Sequence, residues 1–155
     1  MKKLLFLLSI FLFFTLISCF QSTSYSETSD DFLDNHWLKN EAKTFDFAVK
    51  EANGNYDLYL NLSHVYDFQF ESIPLSLTLI DSNKKEQTIN FDLKIKDKSG
   101  KDLGDCSGDI CDLKQVIKQN MSLSKGDYKI IVKQNFKGKY LPNIIALGIE
   151  LKNKI

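Results

Sequence analysis

The sequence predicts an all-β fold for residues 36–155: an antiparallel β-sandwich of jelly-roll or immunoglobulin-like type. Two observations point there. Apolar and polar residues alternate with a period of two through most segments, the mark of strands with one buried and one wet face. Turn-forming clusters such as Asn53-Gly54-Asn55, Asp81-Ser82-Asn83 and Gly126-Asp127 interrupt the alternation at short intervals. Together they divide the chain into about seven or eight short strands, the spacing of a sandwich.

The chain opens with a segment that does not belong to the sandwich. Lys2 and Lys3 precede an apolar run from Leu4 to Ile17, broken only by Ser9 and Thr15. This is the charged-then-apolar layout of a secretory signal. At about 14 residues the run falls short of the roughly 20 that span a bilayer. It ends in Leu16-Ile17-Ser18-Cys19, which resembles the bacterial lipobox, where cleavage precedes the cysteine and its thiol receives diacylglycerol. Residues 1–18 are therefore expected to be a lipoprotein signal peptide, with Cys19 as the lipidated residue. One acyl chain holds a protein only marginally, at about 0.8 kcal/mol per buried CH₂, whereas two or three anchor it to the membrane. Residues 19–35, rich in Ser, Thr, Asp and Glu, are expected to form a flexible tether. Phe20 follows the cysteine where the enterobacterial retention signal would place Asp, which favours the outer membrane.

Trp37 opens the domain and reads as a plug for one end of the sandwich, a sugar-stacking platform being the alternative. Phe45, Phe47 and Val49 form the inward face of the next strand. Past Asn53-Gly54, Tyr56, Leu58, Leu60 and Leu62 form another, expected to pair with it as a hairpin. His64 is read as a residue of the surface or sheet edge. Leu75, Leu77 and Leu79 follow Pro74, and Ile89, Phe91, Leu93 and Ile95 then make the cleanest alternation in the chain. Asp97 to Asp112 is a polar, glycine-rich excursion. Val116-Ile117 and Met121-Leu123 fit either a strand or a helical turn. Tyr128, Ile130 and Val132 form a further strand, Phe136 to Tyr140 a loop, and Leu147, Ile149 and Leu151 the last strand.

Charge and chemistry exclude more than they identify. The 20 basic residues balance 20 acidic ones, and there is no arginine. Nucleic-acid binding needs a basic face, so it is set aside. Beyond Cys19, Cys106 and Cys111 remain, and an exported chain is where a disulfide between them persists. Two free thiols are the alternative. Zinc is set aside because His36 and His64 stand at no recognisable ligand spacing. Asp102, Asp105 and Asp109, with Asp97 and Asp112 nearby, form a weak calcium candidate that lacks the Asp-x-Asp-x-Asp-Gly pattern. No nucleophile elbow, metalloprotease helix or phosphate loop occurs, so no catalytic residue, cofactor or enzymatic activity is expected.

An ordered set of segments carries a family likeness. It runs through Trp37, Lys43-Thr44-Phe45-Asp46-Phe47, Tyr56-Asp57-Leu58-Tyr59-Leu60-Asn61-Leu62 and Leu77-Thr78-Leu79-Ile80-Asp81. It continues through Asp97-Lys98-Ser99-Gly100-Lys101-Asp102-Leu103-Gly104 and Gly126-Asp127-Tyr128-Lys129-Ile130, and closes with Leu141-Pro142-Asn143-Ile144-Ile145-Ala146-Leu147-Gly148-Ile149-Glu150. With the lipobox ahead of them, these resemble the gliding motility lipoproteins of the H type (GldH) from Bacteroidota. Arginines expected after the Tyr128 strand and in the last strand are absent here, so partner contacts made through them do not carry over. The resemblance implies a non-enzymatic accessory lipoprotein of the gliding apparatus, linked to type IX secretion. It would be held at the cell envelope by the lipid on Cys19 and contact other envelope proteins. A glycan-binding module, with Tyr56, Tyr59 and Tyr66 as an aromatic row, is the alternative.

Overall fold

The computed structural model describes residues 23–154. These form eleven strands: β1 (Thr23–Ser29), β2 (Trp37–Leu38), β3 (Ala42–Val49), β4 (Gly54–Val65), β5 (Ser72–Ile80), β6 (Glu86–Lys94), β7 (Asp105–Ser107), β8 (Ile110–Leu123), β9 (Gly126–Gln134), β10 (Tyr140–Leu141) and β11 (Ile144–Asn153). A five-stranded sheet in the order β1-β11-β4-β8-β7 packs on a four-stranded sheet in the order β3-β9-β5-β6. Every pairing is antiparallel. The fold is the expected all-β sandwich.

The alternation that marks the strands also builds the core. Leu58, Leu60 and Leu62 of one sheet meet Phe45, Leu75, Leu77 and Ile130 of the other, all essentially excluded from solvent. Each such side chain contributes roughly 1.5–3 kcal/mol on full burial. The β2–β10 ribbon pairs Trp37 with Leu141 and Leu38 with Tyr140 at one end. Trp37 is fully buried there, its indole N–H donating to the Glu41 carbonyl at 3.1 Å and its ring edge-on to Phe32. The plug reading of Trp37 describes this geometry.

Two elements differ from expectation. β3 and β4 do not form a hairpin: β3 pairs with β9, while β4 lies between β11 and β8 in the opposite sheet. Both strands turn their apolar side to the same core, so residues 50–53 arch from one layer to the other. Asn53 takes the left-handed conformation at φ 65° in that arch.

The second correction concerns residues 23–35, expected as part of a tether. β1 runs along β11 with Tyr25 opposite Leu151 and Glu27 opposite Ile149, and Tyr25 packs on Phe47 at 5.1 Å. An edge strand with a wet outer side needs few apolar residues, so Ser and Thr suffice. Gly148 makes room for it, since a Cβ there would lie 2.8 Å from Thr28 Oγ1. A 3-10 turn at Leu33–Asn35 follows, with Phe32 buried beside it. The expected signal peptide and the lipidated Cys19 lie outside the described residues.

Candidate functional site

β4 delivers His64 to the end of the sandwich that also holds the disulfide. The two-residue period that buries Leu60 and Leu62 places His64 inward as well, and it is fully buried. This corrects its reading as a surface or edge residue. Its register partner on β8 is Cys111, which in turn pairs with Cys106 on β7. Cys106 and Cys111 are joined by a disulfide, with Cα atoms 4.0 Å apart. Cys111 is buried and Cys106 exposed, so the bond bridges core and surface.

Asp102 closes the constellation from the excursion after β6. A bridge between Lys96 and Asp102 and a hydrogen bond from Leu103 N–H to the Ile95 carbonyl at 2.8 Å fold this loop back over His64. Asp102 Oδ1 accepts the Gly104 N–H at 2.8 Å and lies 3.7 Å from His64 Nε2. The other ring nitrogen faces the Val65 carbonyl at 3.0 Å. A carbonyl only accepts, so Nδ1 donates to it, and Nε2 is the ring nitrogen turned to the carboxylate. Neither His64 Nε2 nor Asp102 Oδ2 has a hydrogen-bond partner, although both atoms are buried. Beside them opens a groove of about 480 Å³ lined by Tyr66, Asp67, Lys96, Lys101, Asp102 and Cys106.

The calcium candidate is not assembled. Asp102 turns inward to His64, Asp105 sits on β7 opposite Asp112, and Asp109 occupies the β7–β8 turn. Asp97 spends its carboxylate on its own turn, accepting from Ser99 N–H, Ser99 hydroxyl and Lys101 N–H at 2.8, 2.6 and 3.0 Å. These bonds, led by the Ser99 hydroxyl, hold its carboxyl below the usual range. Asp112 accepts the Ser63 hydroxyl at 2.5 Å. Among the described residues, the group that brings three potential metal ligands together is instead His64, Asp102 and Cys111. With Cys111 oxidised, its sulfur is no thiolate, so the trio is incomplete as it stands.

The aromatic row is not formed either. Tyr56 is buried, and the Tyr59 ring lies under the ammonium groups of Lys114 and Lys152 at 5.1 and 5.5 Å. Both lysines pair with Glu150; burial pushes its carboxyl up, but the Lys114 hydrogen bond and then the two lysine charges draw it below the ordinary value. Tyr66 alone of the three is well exposed.

The residues 24–151 match the family described as "GldH lipoprotein". The chain belongs to the GldH lipoprotein family. As a GldH lipoprotein it is a gliding-motility-type protein of the cell envelope, held there by lipid. No curated protein matches this GldH chain. Among solved structures it is similar to the Eiger TNF of S. frugiperda, at 8% identity and TM-score 0.39, over 86% of this chain and 94% of that one. It is also similar to a family 35 carbohydrate-binding module from Clostridium thermocellum, at 15% identity and TM-score 0.41, over 82% and 88%. Likenesses this distant say nothing of what the GldH chain binds.

Sequence reasoning missed one further residue of this GldH chain. Lys43 falls on the inward face of β3, 4% exposed, with its ammonium 4.1 Å from the Phe32 ring. It donates to Asp31 at 2.7 Å and Glu41 at 2.5 Å. Burial pulls its pKa down, but the bonds to Asp31 and Glu41 outweigh that and raise it. The parity of Phe45 and Phe47 was the available signal.

Proposed function

We propose that this protein is a lipid-anchored, non-enzymatic accessory component of the gliding machinery and its associated type IX secretion system, working through contacts with other envelope proteins. The observation that carries the reading is the family match over residues 24–151, more than four-fifths of the chain. The lipobox at Leu16 to Cys19 supports attachment to the membrane, and Phe20 favours the outer one. Leu33, Leu38 and Tyr140 supply exposed apolar surface for a contact, Leu38 and Tyr140 being neighbours across the β2–β10 ribbon. A row of stacking aromatics, which the glycan-binding alternative needs, finds no support in Tyr56 and Tyr59.

The test is crosslinking of the tagged protein in its own cells, followed by affinity recovery and mass spectrometry. Gliding or type IX secretion components are the expected catch. Recovery of glycan-processing outer-membrane proteins, or of nothing reproducible, overturns the reading.

A further inference from the structure

His64, Asp102 and Cys111 bring an imidazole nitrogen, a carboxylate oxygen and a sulfur within 4.8 Å of one another. We propose that reduction of the Cys106–Cys111 disulfide turns this trio into a binding site for a borderline-soft divalent cation of the zinc type, which the oxidised protein holds only weakly. Zinc takes nitrogen, oxygen and sulfur donors together, and three protein ligands with one open position is a set it commonly uses. Calcium and magnesium prefer all-oxygen sites, and the trio offers a single carboxylate.

Three observations carry the proposal. First, two buried polar groups face each other: His64 Nε2 lies 3.7 Å from Asp102 Oδ1, and neither His64 Nε2 nor Asp102 Oδ2 has a hydrogen-bond partner. Burying such groups costs free energy unless a donor or a positive charge joins them, and a cation satisfies both at once. Second, the ligands are already oriented. The Val65 carbonyl orients the His64 ring through Nδ1, and the Gly104 N–H holds Asp102 Oδ1. Outer hydrogen bonds of this kind are what metal sites use to aim their ligands. A side chain at position 104 would crowd that carboxylate, since a Cβ would lie 3.1 Å from Asp102 Oδ1. Third, the site has a way in, because the groove of about 480 Å³ is lined by Asp102 and Cys106 themselves.

The disulfide is the gate. An external dithiol gives up two electrons and two protons and closes to its own disulfide. The Cys106–Cys111 bond breaks to two thiols. When the cation binds, the Cys111 S–H proton leaves to solvent and the thiolate becomes the third ligand. Cys106 lies on the exposed side of the hairpin, where the reductant reaches the bond.

The experiment uses the full-length protein in detergent, either oxidised or reduced with a dithiol that is then removed without air. Each form is titrated calorimetrically with Zn(II), and separately with Co(II), whose spectrum reports thiolate coordination. The reduced protein is expected to bind one Zn(II) tighter than the oxidised by roughly tenfold or more, with a sulfur-to-cobalt charge-transfer band. Equal affinity in the two forms, or cobalt binding without that band, overturns the proposal. Cys106→Ser keeps all three ligands and removes the gate, so it is expected to bind without any reductant. A Cys106→Ser protein with the wild-type circular dichroism spectrum and no Zn(II) binding also overturns it, and the wild-type comparison stands if that variant fails to fold. His64→Gln is expected to abolish binding in the reduced form.

Discussion

Lys43 shows how a charged residue is accommodated on the inner face of a sandwich. Its ammonium lies over the Phe32 ring and is held there by Asp31 and Glu41. Long cationic side chains bury their methylenes this way while the head keeps polar company. Lys43→Met keeps the packing and removes the bonds. It is expected to cost about 1–2 kcal/mol in urea unfolding, given that Asp31 is largely exposed, with Lys43→Ala costing more. The same contact sets an acid dependence. The hydrogen bond from Lys43, followed by that from Ser29, holds the Asp31 carboxyl at about 2, below the usual 3.8. A carboxylate depressed in the folded state stabilises it above the unfolded pKa and loses that contribution as pH falls through the folded one. The urea midpoint is therefore expected to drop between about pH 4 and pH 2, and to drop less in Lys43→Met. Both Lys43 and His64 were legible in principle, since each shares the parity of buried neighbours. Polarity argued for the opposite side, and only the tertiary partners, Asp31 across the turn and Asp102 from a distant loop, decide the matter.

The strands with apolar alternation were legible from the sequence, because burial on one face of a sheet demands it. β1 was not, as Thr23–Ser29 carries no apolar stripe and owes its place to β11 and to the bare backbone of Gly148. Gly148→Val is expected to push β1 from the sheet. The result should be a loss of about 1–3 kcal/mol and rapid cleavage within residues 23–31 under limited proteolysis. β8 was ambiguous for another reason: its pairing with β4 shifts register twice, between Tyr56 and Leu58, where polar Gln119 and Asn120 interrupt the pattern, and between Leu58 and Tyr59, where Ile117 is passed over. Asn120 is left-handed there, at φ 54°. The β7–β8 hairpin depends on its crosslink. Reducing the Cys106–Cys111 bond is expected to lower stability by about 2 kcal/mol in the chain-entropy model, measured as a shift in thermal midpoint.

At the scale of the whole molecule, the sandwich class was readable, while the assignment of strands to sheets was not. The Asn53-Gly54 turn looks the same in sequence whether it closes a hairpin or crosses between layers. The 20 basic and 20 acidic residues leave no net charge to guide a partner, so the exposed apolar residues are where contacts are best sought. Leu38→Asp combined with Tyr140→Asp is expected to reduce crosslinked recovery of envelope partners several-fold, roughly the loss of one or two contact residues, with an unchanged unfolding midpoint. β1 has a consequence for orientation. Its first residue, Thr23, pairs with Lys152 at the pole where β4 begins, whereas His64, Cys111 and the Leu38–Tyr140 ribbon gather at the other. Only four residues' reach separates Cys19 from Thr23, at most about 14 Å of extended chain. From Tyr56, β4 then carries the backbone about 27 Å to His64. A lipid on Cys19 would therefore keep the Thr23 pole of the sandwich within about 14 Å of the headgroups. The groove and the apolar ribbon, at the far pole, would then be the part of the domain held away from the anchor.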